Sequence, residues 1–382
     1  MKIAVFMDSF KGSLSSVTAG DAVEEGILAA YKKAEVFVCP FADGGEGTLE
    51  AFLSAGGRTE TVRVSDPLGR RIDAPYGVLE DGTCVIESAK AIGLCLLDES
   101  ERNPLRTTSL GLGELVASAV RKGAREIIIG IGGSSTNDCG IGMLQALGFD
   151  IRNESGDHVR QGALGLSEVA SVSRELAMSG LLQCRFTVAC DVLNPLCGEN
   201  GASMVYGPQK GASQEDCRNM DQWMKQFSML VEKSFPGADP NAGGAGAAGG
   251  LGFAIKTFLG GEMRSGADIL FEKIKAEELI KSSDIVITGE GRIDGQTAMG
   301  KAPVKVAALA KKYNKPVIAF AGSIGNGAES CYPMGIDAIV PITDEAVPLE
   351  KAMQKDVAYN NLSSAARQAM ERVISGNMIT MK

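Results

Sequence analysis

The chain opens with KIAVFMDSFKGS (residues 2–13), in which a mostly apolar segment ends abruptly in polar residues. A helical spacing of apolar residues follows over 17–33. EVFVCP (35–40) then leads through the glycine loop ADGGEGT (42–48) into a second helical segment near 46–55. Short apolar strands that alternate with helices are typical of a parallel, doubly wound sheet. The N-terminal residues therefore predict the first β-α-β-α unit of such a sheet.

The same alternation returns near the C-terminus. Its members are the apolar segments DIVITG (284–289), PVIAFAG (316–322) and AIVPI (338–342), with helical patterns near 300–312 and 350–374. Insertion of a domain into an exposed loop is well tolerated when the loop ends lie close together. We therefore predict one parallel-sheet domain built from residues 1–58 and 284–382, with residues 59–283 inserted as a second α/β domain.

The inserted residues have a different pattern. Residues 59–66, 72–80 and 83–88 tend to alternate with a period of two and are joined by turn residues, which favours an antiparallel or mixed sheet. Further strands are predicted at 126–131 and 185–190, and further helices at 107–122, 139–147 and 214–234. The glycine-rich stretch at 236–252 contains no serine and one charge, which favours a tight loop at a helix start over a flexible linker.

Composition excludes several classes of protein. The chain has 382 residues with Lys+Arg 38 and Asp+Glu 47, a formal charge of −9, which gives no global attraction for nucleic acid or an anionic membrane. No apolar stretch reaches the roughly 20 residues that span a bilayer. The 9 cysteines form no C-x-x-C pair, so we expect reduced thiols and a cytoplasmic protein. His158 is the one histidine, which disfavours both a Ser-His-Asp triad and a metal site built from histidines.

Glycine is the informative residue type. The chain has 48 glycines, nearly twice the average usage of about 7%. They cluster in patches between apolar runs, which indicates backbone that approaches a ligand or turns with positive φ.

Four glycine-containing segments that follow predicted strands carry the candidate chemistry. They are DSFKGS (8–13), ADGGEGT (42–48), GIGGSSTND (130–138) and TGEGRIDGQTAMGKAP (288–303). Ligands of open parallel sheets bind outside the carboxyl ends of the strands, which is where these segments fall. The alternative for each segment is a solvated turn, a helix cap or a salt-bridged surface residue.

The first two segments suit a polar ligand. Asp8, Ser9 and Lys11 combine an acid, a hydroxyl and a cation. In ADGGEGT the glycines let backbone N–H groups approach an anion at a helix N-terminus. Asp43 is there a candidate base, metal ligand or positioning group.

The other two segments suit phosphate and metal. GIGGSSTND lacks the Walker A and G-x-G-x-x-G spacings, but its glycines, hydroxyls and amide predict a nest for phosphate oxygens. The residues of that nest are Gly132, Gly133, Ser134, Ser135, Thr136 and Asn137. In the last segment Glu290 and Asp294 are candidate Mg²⁺ ligands, and Lys301 can neutralise a phosphate beside Gly289 and Gly291. Asp191 and Lys210 follow other strand-like segments and are weaker candidates.

Loops rich in backbone donors, carboxylates and lysines, without histidine, favour metal-assisted phosphoryl transfer over acyl transfer or redox chemistry. Phosphoryl transfer needs positioning and charge neutralisation more than an unusual side chain. The residue pattern alone names no substrate.

The segments also resemble the successive blocks of the bacterial type I glycerate kinases. The blocks are DSFKGSLS, PFADGGEGT, VSDPLG, RNPLRTTSLGLGEL, GIGGSSTNDCGIGMLQALG, ACDVLNPLCG, YGPQKGA, GAGAAGGLG and VITGEGRIDGQTAMGKAP. They occur in order from residue 8 onward over most of the chain. The tail beyond residue 345 resembles the family least.

The resemblance implies an α/β protein with two domains, one flavodoxin-like and one with a mixed sheet. It further implies that ATP phosphorylates D-glycerate in a cleft between them, with Mg²⁺, in glyoxylate, glucarate or serine breakdown. We expect 2-phosphoglycerate rather than 3-phosphoglycerate, although the sequence does not fix which hydroxyl reacts. A homo-oligomer is allowed by the sequence and not required.

Chemistry assigns roles within the blocks. A carboxylate base must lie within hydrogen-bond reach of the attacking hydroxyl, and Asp43 and Asp191 are the candidates, the other helping to hold metal or substrate. The glycerate carboxylate needs a cation, which Lys11, Arg63, Arg102 or Arg106 can supply. Lys11 is also a catalytic candidate. The substrate-binding set is Asp8, Ser9, Lys11, Arg102, Thr107 and Thr108.

Two departures and two alternatives complete the prediction. Where the family usually has GGSATNDGG, this chain has Ser135 and Cys139, and we expect the thiol to narrow the loop and to make it sensitive to oxidation. The competing class is a two-domain sensor of sugar acids that uses the same cleft. The second alternative is another small-hydroxyacid or sugar kinase.

Overall fold

A computed structural model describes residues 1–42, 44–344 and 347–376 of the chain. The strands, in chain order, are β1 (Lys2–Met7), β2 (Glu35–Val38), β3 (Arg58–Ser65), β4 (Arg71–Val78), β5 (Cys84–Glu87), β6 (Glu126–Gly130), β7 (Asp150–Arg152), β8 (Ser171–Ser173), β9 (Arg185–Ala189), β10 (Glu262–Arg264), β11 (Ile285–Ile293), β12 (Val317–Ile324) and β13 (Ala338–Pro341).

Helices connect most of these strands. In chain order they are α1 (Ser16–Ala30), α2 (Thr48–Leu53), α3 (Ala89–Ile92), α4 (Leu110–Arg121), α5 (Ile141–Ala146), α6 (Ala163–Leu166), α7 (Ala202–Tyr206), α8 (Gln214–Ser234), α9 (Ala247–Leu259), α10 (Gly266–Lys273), α11 (Ala276–Ser282), α12 (Ala302–Lys311), α13 (Leu349–Ala352) and α14 (Lys355–Ile374). In the part of the chain that the structure describes, no helix is long and apolar enough to cross a membrane.

The chain divides into two compact units. The first contains Met1–Ala42, Glu50–Ala55 and Ala267–Lys382, and the second contains Asp43–Leu49 and Gly56–Gly266. Each unit has its own sheet and its own buried core.

The first unit is built on a parallel sheet in the order β13-β12-β11-β1-β2. Numbered within the unit this is the flavodoxin order 2-1-3-4-5. Residues 3–7 of β1 are all buried, as expected for a central strand with both faces covered. The predicted flavodoxin-like domain, made from both ends of the chain, is confirmed.

The second unit is built on a mixed sheet in the order β10-β9-β6-β5-β4-β3. The pairs β3–β4 and β4–β5 are antiparallel, whereas β5, β6, β9 and β10 run parallel. This confirms the mixed sheet predicted from the period-two pattern. A separate antiparallel pair, β7 with β8, was not predicted, because each strand has only 3 residues.

The predicted domain limits at 58/59 and 283/284 differ from this division. From Ala267 onward, α10 and α11 cluster with the first unit. In α10, Phe271 packs edge-on against Phe6, with 6.0 Å between ring centroids, and against Phe41 at 5.7 Å. At the other limit, the described residues 44–49 cluster with the second unit. The local sequence pattern predicts neither the packing of Phe271 nor the clustering of residues 44–49 with the second unit.

The glycine-rich stretch forms a tight turn at the start of α9, as predicted. Ala248, Gly249 and Gly250 have φ of 52°, 67° and 89°, so the helix begins with a left-handed turn. The predicted helix at 107–122 starts later, at Leu110, and the predicted helix at 350–374 is interrupted between α13 and α14. All 9 cysteines are free thiols.

Candidate functional site

Two of the predicted glycine loops meet at the carboxyl edge of the mixed sheet. The N–H of Gly132, just beyond β6, donates a hydrogen bond of 2.9 Å to the carbonyl oxygen of Gly44. A Cβ on Gly132 would lie 2.5 Å from Cα of Gly45. A Cβ on Gly44, whose φ is +97°, would lie 2.3 Å from the carbonyl oxygen of Ala189. The loops after β2 and β6 and the end of β9 are therefore joined through backbone that only glycine permits.

A buried carboxylate that sequence reasoning missed holds the first of these loops. Glu87, the last residue of β5, accepts hydrogen bonds from the N–H of Leu49 at 3.0 Å and from the N–H of Gly47 at 3.4 Å. Nζ of Lys90 lies 3.9 Å from the Oε1 atom of Glu87. A carboxylate at a helix N-terminus is favoured by the partial positive charge there. The one available signal was an acid closing the otherwise apolar strand CVIE.

The side chains of the loop after β6 bond mainly to the protein itself. Ser135 Oγ donates to the carbonyl oxygen of Ile92 at 3.0 Å, and Asn137 Nδ2 donates to Ser203 Oγ at 2.8 Å. Among the described residues, Thr136 Oγ1 and Asn137 Oδ1 are buried without a hydrogen-bond partner. Most of these polar groups therefore fix the shape of the loop, and their contact with phosphate stays a prediction.

Lys210 supports the same loop. It ends the short turn Pro208–Lys210 and is 3% exposed. Its Nζ donates to the carbonyl oxygen of Thr136 at 2.7 Å and to Ser134 Oγ at 3.1 Å. Burial lowers the pKa of Lys210 to about 7, and the charge of Asp138 acts in the opposite direction. The structure thus brings Lys210 to the predicted phosphate loop.

Asp138 fastens the end of this loop to two helices. Its Oδ2 accepts hydrogen bonds from the N–H and the Oγ of Ser109, both at 2.8 Å, directly before α4. Its Oδ1 accepts from the N–H of Gly140 at 3.1 Å, directly before α5. Burial raises the pKa of Asp138, while the donated hydrogen bonds oppose that rise. Asp138 therefore holds the loop to the backbone that directly precedes α4 and α5.

Three proposed substrate-binding residues lie nearby. Thr107 Oγ1 donates to the carbonyl oxygen of Ser135 at 2.9 Å, and Thr108 Oγ1 donates to Gln161 Oε1. Both threonines are buried. The Nε atom of Arg102 is buried without a partner among the residues that the structure describes. Contact of these three residues with a substrate stays a prediction.

Asp43 and Asp191 are the two candidate bases. Asp43 lies outside the described residues. Asp191 is exposed and follows β9 by two positions, at the carboxyl edge where the glycine loops meet.

In the first unit, the segment after β1 lies beside β11. The N–H of Asp8 donates to the carbonyl oxygen of Gly289 at 2.9 Å, and the N–H of Ser9 donates to Asp8 Oδ1 at 2.6 Å. A Cβ on Gly291 would lie 3.5 Å from the backbone nitrogen of Lys11. The predicted segments DSFKGS and TGEGR are therefore neighbours.

Within β11, the acid Glu290 lies beside Lys301 and within the electrostatic influence of Lys11. Glu290 is 7% exposed, and its Oε1 accepts a 2.6 Å hydrogen bond from Thr297 Oγ1. Nζ of Lys301 lies 3.8 Å from Oε2 of Glu290. Burial raises the pKa of Glu290, whereas Thr297, Lys301 and Lys11 lower it and Asp294 raises it further. The structure brings together four of the residues predicted here.

Asp294 is the second candidate metal ligand of this unit. The N–H of Gln296 donates to its Oδ1 at 2.9 Å, which is the main reason that the pKa of Asp294 lies below its ordinary value. Over residues 1–42, 44–344 and 347–376, no group of three or more His, Cys, Asp or Glu side chains could hold a metal ion. Two carboxylates still suit Mg²⁺, which is usually bound by one or two carboxylates together with substrate phosphates.

Cys139 does not behave as expected. It is fully buried, and burial raises the pKa of its thiol well above the ordinary value. The expectation of an oxidation-sensitive loop is therefore wrong for the folded protein, since oxidation follows thiolate character and exposure. Its φ of 49° explains why glycine suits this position.

Comparisons with known proteins agree on one family. A family model described as the glycerate kinase family matches residues 3–374. A glycerate kinase of Bacillus subtilis (strain 168) is 45% identical over 361 residues, which cover 94% of each chain. A glycerate 2-kinase of Escherichia coli (strain K12) is 42% identical over 96% of each chain. A crystal structure from Salmonella typhimurium LT2, provisionally described as glycerate kinase 2, has a TM-score of 0.86 and 41% identity, covering 99% of this chain and 100% of that one.

Proposed function

The chain belongs to the glycerate kinase family and is a glycerate kinase, a phosphotransferase with an alcohol group as acceptor. From this premise we propose that it transfers the terminal phosphoryl group of ATP to the 2-hydroxyl of D-glycerate. The choice of the 2-hydroxyl is supported by the name of the Escherichia coli relative, a glycerate 2-kinase. The observation that carries the proposal is the backbone junction of Gly44 and Gly132 at the carboxyl edge of a sheet.

That junction suits phosphoryl transfer. The reaction requires that phosphates and hydroxyl be held in line and that their charge be neutralised. Glycine loops at strand ends expose backbone N–H groups to an anion, and Lys210 brings a cation to the loop after β6. We assign phosphates of ATP to this loop, and the phosphate contact of Gly289, Gly291 and Lys301 stays a prediction from the sequence.

The acids have separate proposed roles. Asp43 or Asp191 accepts the proton of the attacking hydroxyl, because a carboxylate is the base that these loops offer. Glu290 and Asp294 would hold Mg²⁺, with Asp191 as a further candidate ligand, and the ion would offset the charge of the phosphates. Lys11 or Arg102 pairs with the glycerate carboxylate, with Thr107 and Thr108 as hydrogen-bonding partners. A substrate cleft between the two units, a homo-oligomer and a cytoplasmic location stay predictions.

The experiment is phosphorus NMR of the product made from D-glycerate and ATP by the purified chain. We expect the phosphorus resonance of 2-phosphoglycerate, and a 3-phosphoglycerate resonance would contradict the choice of hydroxyl. Addition of EDTA should abolish turnover, and full activity without metal would contradict the Mg²⁺ role. Binding of D-glycerate without ATP consumption would favour the sensor alternative, and turnover of another sugar acid alone would favour another kinase.

A further inference from the structure

A buried ammonium group contacts a hydroxyl behind the loop after β6. Nζ of Lys210 lies 3.1 Å from Ser134 Oγ and 2.7 Å from the carbonyl oxygen of Thr136, and both side chains are at least nine-tenths buried. Within the described ranges, Lys210 has no carboxylate within 4.0 Å, so its charge is held by neutral oxygens. Burying a charge away from a carboxylate partner is strongly unfavourable. A shorter or uncharged side chain would fill this position at lower cost.

The contact also fixes the direction of a proton. An ammonium group can only donate, so Ser134 Oγ must accept the hydrogen bond from Lys210. The hydroxyl hydrogen of Ser134 then points away from the lysine. In the part of the chain that the structure describes, Ser134 Oγ makes no other side-chain hydrogen bond that would take up this hydrogen.

We propose that Lys210 is a positioning residue that makes Ser134 a hydrogen-bond donor to an oxyanion of a substrate. The inference rests on the proposed function, because the substrates of that function carry the anion. The oxyanion is either a phosphate group of ATP or the carboxylate of D-glycerate. The second bond of Lys210, to the carbonyl oxygen of Thr136, holds the loop backbone that carries Ser134.

The protonation state of Lys210 controls this arrangement. A neutral amine can accept a hydrogen bond, so Ser134 can then turn its proton toward the lysine and away from the substrate. The titratable or charged groups around the turn that bears Lys210 are Asp138, Cys217 beside Gly207, and Arg102 beside Gly211. The pKa of Cys217 is raised by burial, so this thiol stays neutral as Lys210 loses its proton near a pH of about 7.

The test is a double-mutant cycle on the full chain. Dissociation constants for MgATP and for D-glycerate are measured separately by calorimetry for the wild type, Ser134→Ala, Lys210→Met and the double variant. A hydrogen bond to a charged group corresponds to roughly a tenfold change in affinity or more. We expect each single variant to weaken one of the two substrates by about tenfold and the double variant to bind no more than about threefold more weakly than either. The substrate that responds identifies the oxyanion.

Multiplicative losses in the double variant would overturn the proposal, because Lys210 would then act independently of Ser134. Equal weakening of both substrates by Lys210→Met alone would do the same, since it would indicate general loss of structure. Lys233→Met is the matched control, because Lys233 is an exposed lysine of the same unit. It should leave both affinities unchanged.

A pH series covers the case in which Lys210→Met does not fold. The affinity of the wild type for the responding substrate should fall about tenfold as the pH rises through about 7, whereas Ser134→Ala should show no such fall. A parallel fall in both proteins would overturn the role of Ser134. If the wild type binds both substrates but forms no phosphoglycerate, the proposed function fails while the cycle can still be read from binding.

Discussion

The carbonyl oxygen of Gly44 and the N–H of Gly132 form a hydrogen bond of 2.9 Å that joins two loops far apart in the chain. No side chain takes part, so the contact depends on the absence of Cβ atoms. A Cβ on Gly130 would also approach the carbonyl oxygen of Gly44, to 2.8 Å. The relative placement of the two loops is therefore set by close backbone packing.

Gly132→Ala should separate the two loops. The new Cβ would lie 2.5 Å from Cα of Gly45, which is backbone and has to shift. Because misplacement by about 1 Å can cost about 100-fold in rate, we expect kcat to fall by at least tenfold, measured with D-glycerate and MgATP. Gly82→Ala is the control, since Gly82 has φ of +82° and open space around its Cβ position. Comparable loss of kcat in the control would contradict the steric explanation.

Asp138→Asn should destabilise the second unit. Oδ2 of Asp138 accepts from the N–H and Oγ of Ser109, and Oδ1 accepts from the N–H of Gly140. In asparagine one of these two oxygens becomes an amide nitrogen, which cannot accept, so at least one buried donor loses its partner. A buried donor left unsatisfied costs about 1–3 kcal/mol. Urea unfolding should show a loss of that size. Asp157→Asn, at an exposed aspartate, should change the free energy of unfolding by less than about 0.5 kcal/mol.

The strand ends of the site could be predicted from the sequence, because apolar runs end abruptly in glycine or polar residues, as at Gly130. The support of those ends could not. Glu87 caps α2 from 38 residues beyond Leu49, and Lys210 reaches Thr136 across 74 positions. Such contacts depend on how elements pack and leave no local periodicity. The grouping of α10 with the first unit, in which Phe271 packs against Phe6, could not be predicted for the same reason.

Lys210 should make stability depend on pH. Its pKa is about 7 in the folded protein, against 10.5 for an exposed lysine, so the unfolded chain binds more protons between these values. The contribution of Lys210 to the free energy of unfolding therefore rises with pH in this window, by at most about 1.4 kcal/mol per pH unit, and levels off below a pH of about 7. Urea unfolding of the wild type and Lys210→Met across the window measures the difference. A difference that does not change with pH would contradict the shifted pKa.

The two candidate bases should be separable by conservative substitution. Asparagine is nearly isosteric with aspartate and removes the charge, so Asp43→Asn or Asp191→Asn should fold and lose about 10²–10⁴-fold in kcat if the residue is the base. The thermal transition is measured alongside as the check on folding. If both variants keep kcat near that of the wild type, Asp8, Glu290 and Asp294 become the candidates. If both unfold, these acids have structural roles.

Substitutions at two neighbouring positions of the left-handed turn at the start of α9 should change the stability of the protein in opposite directions. Ala248 has φ of 52°, where a Cβ is strained by roughly 1–2 kcal/mol, so Ala248→Gly removes strain but adds freedom to the unfolded chain. The balance should leave stability unchanged or raise it by up to about 1 kcal/mol. Gly249→Ala adds the same strain and places a Cβ 2.1 Å from the carbonyl oxygen of Thr136, which also accepts the hydrogen bond from Lys210.

Gly249→Ala should therefore lower the free energy of unfolding by several times the change expected for Ala248→Gly. It should lower kcat as well, because it displaces the loop that Lys210 supports. Urea unfolding and steady-state kinetics on both variants measure the two effects. If Gly249→Ala lost only about 1 kcal/mol and kept its kcat, the loop after β6 would tolerate displacement at Thr136. The turn before α9 would then have no part in holding the loop.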